Sequence, residues 1–263
     1  MFYAYLFDFF QISTILDKMS ETKSCQIYDD IVSDYSAIKT NPFKTNYEKP
    51  AFWKALGDVK DKNVLDLACG SGYYTSSLKQ IGANKVVGVD ISKGMVEDAR
   101  QQQKGAGVQY EVGDAANYMY NMKERYAVFD IVTAQYLLCY AESKEQLKRF
   151  CTSAYLHTKC GWYFLTLTTV YNDGDQKTNL MHIGQIYQPI VKENGVDTPR
   201  KWSDGVEVDF TVYSSDMSRT CRIPNYTWTL STISPILTDV GFKSIQVTSP
   251  LESFPTVLIK AHK

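Results

Sequence analysis

The sequence predicts an α/β fold: a doubly wound, mostly parallel sheet of seven strands with an antiparallel C-terminal strand and an inserted cover. Three observations carry this. Val64 to Thr75, V-L-D-L-A-C-G-S-G-Y-Y-T, reads as a buried strand, a glycine turn and the start of a helix. From Val64 to Thr168, strand-like and helix-like segments alternate, as a parallel sheet with crossover helices requires. The last two apolar segments, Phe242 to Thr248 and Thr256 to His262, are joined only by a proline-containing loop and read as an antiparallel pair.

Taken in order, the chain starts with an apolar, aromatic stretch from Met1 to Leu16, broken by Asp8. It is too short to span a bilayer and lacks a basic start and a small-residue cleavage site. Residues 1–20 are read as a non-essential extension; an amphipathic extra helix, a segment contacting a partner or membrane, and a start-site artefact (Met19 being the other start) stay open. Residues 21–263 are read as one domain, interrupted by an insertion at 171–228. Tyr28 to Tyr35 predicts a helix with Ile31 buried, then a loop at Asn41-Pro42 and a helix around Phe52 to Leu56.

In the turn, Gly70 and Gly72 permit a tight bend and close approach of a ligand to the backbone. A dinucleotide fingerprint wants a third glycine where Thr75 stands, and no Gly-Lys-Ser/Thr follows to make a phosphate loop. Asp66, just before the glycines, suits a ligand with an amino group and a sulfonium better than a pyrophosphate; alternatively it caps the turn. A second strand, Lys85 to Val89, ends in Asp90, near the spacing at which an acid holds ribose hydroxyls. Ser92 caps a helix from Lys93 to Gln103. A third strand, Val108 to Val112, ends in Gly113-Asp114-Ala115, and a fourth runs from Val128 to Ala134.

D-L-A-C-G-S-G, V-G-V-D-I-S, G-D-A and F-D-I-V-T-A-Q-Y-L-L stand in this order, and with them the chain resembles the class I S-adenosylmethionine-dependent methyltransferases, closest to the small-molecule branch. Ala68 stands where many members have a first glycine. Y-D-D-I-V-S-D-Y, Tyr28 to Tyr35, also resembles members related to toxoflavin-type methyltransferases. The resemblance implies a Rossmann-like sheet and S-adenosyl-L-methionine as cofactor. Asp66 would then position its methionine amino end, and Gly70 and Gly72 would let it lie against backbone. Asp90 would accept from both ribose hydroxyls, Ile91 and Met95 would pack on the adenine, and Asp114 with the Ala115 N–H would bind the adenine edge. Gln135 would face the methionine moiety. Tyr28 would either close the pocket or simply pack.

The remaining elements continue the alternation. Tyr73 to Gln80 is the first crossover helix, Asn117 to Met122 a short connection, Ser143 to His157 an amphipathic helix and Trp162 to Thr168 a fifth strand. Within the insertion, a helix near Leu180 to Val191, a polar loop from Lys192 to Asp204 and a hairpin of Val206–Val212 with Thr220–Tyr226 are expected, Pro224 keeping the second strand on an edge. Such a long insertion at the carboxyl side of a sheet reads as a substrate cover. Its aromatic residues suit a flat or apolar small acceptor. Thr229 to Asp239 returns to helix, stopped by Gly241.

A net charge of −1 over 263 residues gives no electrostatic case for nucleic acid, and six cysteines without C-x-x-C suit reduced, cytoplasmic thiols. No metal spacing is present, and no Asn-Pro-Pro-Tyr follows the fourth strand, which argues against amino-group methylation of bases or glutamine. Methyl transfer from an activated donor needs chiefly alignment, so no triad is required. His157 falls at a helix end or surface and His262 beside the C-terminus, exposed; His182, in the insertion, is the candidate catalytic residue. Tyr136 and Tyr140 follow the fourth strand and are placed to line the pocket. The expectation is methyl transfer to a small-molecule N, O or S acceptor, against a non-catalytic cofactor-binding or regulatory protein of the same fold.

Overall fold

The computed structural model describes residues 42–118, 126–171, 203–213, 220–251 and 255–263, together with four short strands between 178 and 199. Among the described residues, two helical segments precede the sheet: a π-helical turn, Lys44–Glu48, and α1, Lys49–Leu56. Pro42 and Phe43 are already helical, in place of the loop expected at Asn41-Pro42.

β1 (Asn63–Leu67), α2 (Tyr73–Gln80), β2 (Lys85–Asp90), α3 (Lys93–Gln102) and β3 (Gln109–Val112) build one half of the sheet. β4 (Phe129–Gln135), α4 (Lys144–His157) and β5 (Thr158–Thr169) build the other. The order is β12-β13-β5-β4-β1-β2-β3, where β12 is Ser244–Thr248 and β13 Thr256–His262. β1, β2, β3, β4 and β5 run parallel to one another, and β13 runs antiparallel to both β5 and β12. Strand order therefore reverses between β1 and β4, and the carboxyl ends of those two strands define the crevice where such sheets bind ligands.

β1 reads as a continuous apolar run because it is covered on both faces: Val64, Leu65, Asp66 and Leu67 are all fully buried. One face packs Leu65, Leu67, Val132 and Phe164 with α4 and with α5 (Leu230–Val240). The other packs Val64, Val86, Ile131 and Leu165 with α1 and α2. Ser143 caps α4 by accepting the Gln146 N–H at 3.2 Å, as its position before the apolar periodicity demands.

The insertion differs from its expected helix and loop. It holds β6 (Thr178–Leu180), β7 (Gln185–Gln188), β8 (Ile190–Glu193), β9 (Val196–Pro199), β10 (Glu207–Tyr213) and β11 (Thr220–Tyr226). These form a four-stranded sheet, β11-β10-β7-β6, and a separate pair, β8-β9. Pro189 and the Ile190-Val191 pair oppose a helix through this stretch. Asn194-Gly195 separates the paired residues Glu193 and Val196, which is the strongest short hairpin signal a sequence carries. The β10–β11 hairpin forms as expected, and Pro224 lies on the edge strand. Trp228, buried at the insertion's C-terminal root, donates its indole N–H to the Ala141 carbonyl at 3.0 Å.

Candidate functional site

The crevice at the β1–β4 reversal holds a cleft of about 950 Å³, open mouth included. Its lining brings together Gly70, Asp90, Ile91, Met95, Asp114, Ala115 and Gln135, residues that the sequence places on four separate strand ends. Tyr136 and Tyr140 line it too, as their position after β4 suggested. Tyr28 and His182 lie outside the described residues.

The glycine turn owes its shape to three left-handed residues: Ala68 at φ +58°, Gly70 at +53° and Gly72 at +76°. Ala68 adopts a conformation that ordinarily favours glycine, at a cost of about 1–2 kcal/mol for an L-residue. Asp90 braces this turn from the next strand. Its Oδ2 accepts the Gly70 N–H at 2.7 Å and its Oδ1 accepts the Ser92 N–H at 3.0 Å. Ser92 in turn caps α3 through the Met95 N–H at 3.0 Å, which fixes the wall formed by Ile91 and Met95.

Asp114 is oriented in the same manner. Oδ1 accepts the Ala116 N–H at 2.8 Å and Oδ2 accepts the Asn117 amide at 2.6 Å. Burial pushes its pKa up, an effect that those hydrogen bonds and the Arg149 charge oppose. Gln135 adds an orphan: its Nε2 is buried and finds no acceptor among the described residues. Two aimed carboxylates, an apolar wall and an unfilled amide donor fit a ligand bearing sugar hydroxyls, a flat amino-substituted base and a carbonyl or carboxylate end.

Two of the sequence-chosen residues stand outside the lining. Asp66 is fully buried beneath the turn, where parallel register sets it beside Thr133. Its carboxylate accepts Thr75 Oγ1 at 2.6 Å and Thr133 Oγ1 at 2.8 Å. Burial raises its pKa to about 6, despite those two hydrogen bonds. Thr75, which the glycine fingerprint does not explain, is thus the partner of Asp66. Gly72 backs onto Tyr110: a Cβ there would meet the phenol oxygen at 2.4 Å and ring carbons at 2.8 and 2.9 Å.

A second, smaller cavity adjoins the first through Ala68, Gly70, Gln135 and Tyr136, and is lined also by Lys44, Glu48, Lys49, Tyr73 and Tyr74. Sequence reasoning missed its acid. Glu48 is fully buried, accepts the hydroxyls of Tyr74 (2.7 Å) and Tyr136, and pairs with Lys44 at 3.3 Å. Its local sequence offers only the Lys44 pair, since the two tyrosines it accepts from come from α2 and from the residue after β4. Tyr136 holds a left-handed backbone at φ +62°, which turns its ring into the wall between the cavities.

The histidines need correction. His157 ends α4 as expected, but it is buried, with Nδ1 2.7 Å from the Ser153 carbonyl and its ring against Tyr118 and Tyr126. His262 is partly buried against Tyr163 rather than exposed, and burial lowers its pKa. Cys69, Cys139 and Cys151 are free and buried, while Cys160 is exposed.

Comparison with known proteins gives a consistent picture. A family described as "Methyltransferase domain" matches residues 64–161. The demethylmenaquinone methyltransferase of Lactococcus lactis is 28% identical over 131 residues, 46% of this chain and 49% of that protein. The ubiquinone biosynthesis O-methyltransferase of Proteus mirabilis is 27% identical over 156 residues, 54% and 60% respectively. The DhpI–SAH complex superimposes with a TM-score of 0.60 at 18% identity, covering 91% of this chain and 94% of that one. The chain spans between 22% and 60% of the length of the curated relatives it matches.

Proposed function

We propose, for a chain whose residues 64–161 are a methyltransferase domain of the class I S-adenosylmethionine-dependent superfamily, that it transfers a methyl group to a nitrogen, oxygen or sulfur atom of a small molecule. The observation that carries this reading is the joint presentation of Asp90, Ile91, Met95, Asp114, Ala115 and Gln135 in one cleft at the strand-order reversal. When bound, S-adenosyl-L-methionine supplies a methyl group already activated by its sulfonium.

The chain's own residues then bind and align. Asp90 accepts from the ribose hydroxyls while holding the glycine turn through the Gly70 N–H. Ile91 and Met95 pack on the adenine, and Asp114 accepts from its amino group. Gln135 turns its unfilled amide donor toward the methionine end. Tyr136 and Tyr140 close the apolar side of the cleft. Alignment of nucleophile, carbon and sulfur, with water displaced, supplies the rate enhancement, so a dedicated base is needed only where the acceptor must lose a proton. His182 is the proposed base, and Tyr28 the proposed closure over the cofactor.

A flat or apolar acceptor suits the tyrosine wall, and the names of the two quinone-pathway relatives point the same way. Among the described residues no helix is long and apolar enough to cross a membrane. The buried free thiols suit a reducing, cytoplasmic setting. The test is turnover of methyl-labelled S-adenosylmethionine against panels of phenols, aromatic amines and thiols. Label transfer to one class supports the reading. Cofactor binding without transfer to any small acceptor, alongside transfer to a protein or RNA, would replace it.

A further inference from the structure

The seven-stranded sheet has β3 at one edge and β12 at the other, and among the described residues each pairs with a single strand. An edge strand is a template for another chain unless shortness, charge, proline or a bulge blunts it. β3 is blunted. It has four residues, and Glu111 stands within it, accepting the Gln109 amide at 2.6 Å and the Tyr118 hydroxyl at 3.0 Å. β12, S-I-Q-V-T, holds no charge and no proline; Lys243 precedes it, and Pro250 comes only after Ser249. Its five residues pair with β13 in unbroken register, so no bulge turns this edge away. Ser244, Gln246, Val247 and Thr248 are exposed, and Ile245 is half-buried. Val247 stands out, being 40% exposed while its β13 partner Ile259 is fully buried in the core that Ile245 also packs against.

We infer that β12 pairs antiparallel with β12 of a second copy of this chain, about a two-fold axis through Gln246, joining the two sheets into one. The strand is self-complementary in that register. Ser244 falls opposite Thr248 of the second copy, Ile245 opposite Val247, and Gln246 opposite Gln246. Hydroxyl pairs and β-branched pairs are favourable cross-strand partners. Residues directly opposite share a face, so Ile245 of each copy covers the exposed Val247 of the other. Other registers are worse. A slip of one residue sets Ile245 against Gln246, and centring on Ile245 sets Lys243 against Val247. Centring on Val247 brings Pro250 into the ladder, where it has no N–H to donate. The contact is isologous and closes at two copies. A strand of five residues gives a small interface, so the association is reversible. β13 and β5 stand between this edge and β4, and the inference is independent of what the cleft binds.

The experiment is sedimentation equilibrium of the full chain over about 1 to 100 μM, the range in which a small reversible interface populates both species. Wild-type protein is expected to follow a monomer–dimer equilibrium. Gln246→Lys sets two ammonium groups opposite each other, and Gln246→Glu two carboxylates, so each variant alone should dimerise at least about 10-fold more weakly. An equimolar mixture of the two should regain the dimer, because position 246 meets only position 246 across the axis. That recovery also shows both variants folded, and thermal denaturation of each should match wild type, since Gln246 is exposed. A wild-type monomer at every concentration would overturn the inference and leave the edge to a strand of another protein. A dimer that persists unchanged in Gln246→Lys would overturn it by placing the contact elsewhere. Loss in both variants without recovery on mixing would overturn the pairing about Gln246.

Discussion

Asp66 and Asp90 show how differently two acids at strand ends can be used. Asp90 stands in the cleft and also ties the glycine turn to β2. Asp90→Asn keeps the volume but gives up the charge that both backbone N–H groups exploit and that, in the proposed role, the cofactor's hydroxyls would use. We expect S-adenosylhomocysteine affinity to fall by about 1.5–3 kcal/mol, with a small loss of thermal stability. An unchanged titration curve would remove Asp90 from ligand contact. Asp66 titrates with folding. Its pKa rises from 3.8 to about 6 because burial penalises the charge. The native state thus holds a proton that the unfolded chain releases, so this group's stabilising contribution is complete below pH 4 and lost as pH rises through 6. Asp66→Asn should remove a stability drop on the order of 2–3 kcal/mol between pH 4 and 7. Urea midpoints across that range check this, and parallel pH profiles in both proteins would contradict it. Sequence pointed to Asp90 from its place at the end of the second strand, its spacing after the glycine turn and the motif resemblance. It could not tell that Asp66, equally a strand-end acid, points under the turn, because that depends on Thr133 arriving beside it from a strand 67 residues away.

Elements of the sheet were legible because their signals are local. Val64 to Leu67, the Ser92 and Ser143 caps and the Gly241 stop each sit within a few residues of the boundary they set. The glycine turn was legible as a turn, but not in what it leans on. Gly72 lies against the Tyr110 ring, which also packs over Gly88, where an added Cβ would stand 3.0 Å from a ring carbon. Gly72→Ala combines that overlap with an unfavourable φ of +76° and should cost about 1–3 kcal/mol. Tyr110→Leu in the same chain should recover part of the loss in thermal denaturation. No recovery would place the cost in the backbone alone. The insertion was misread at β6 to β9: the expected helix and polar loop gave no weight to Asn194-Gly195, which separates the paired residues Glu193 and Val196.

At the scale of the whole molecule, the parallel strands and their crossovers place every cleft acid at the carboxyl edge, and the antiparallel β13 seals the sheet on the β5 side. The insertion springs from that same edge between β5 and α5, with Trp228 buried at its root and bonded to Ala141, next to the cleft residues Tyr140 and Glu142. The cofactor was readable from motifs because those motifs lie at the strand ends that line the cleft, while no such local motif marks the acceptor. The central claim is that this frame takes an adenosyl-methionine ligand and no dinucleotide. Calorimetric titration of S-adenosylhomocysteine, with NADH titrated in parallel, tests it most directly. The account predicts micromolar binding of S-adenosylhomocysteine and none of NADH. Binding of NADH, or of neither, would contradict it.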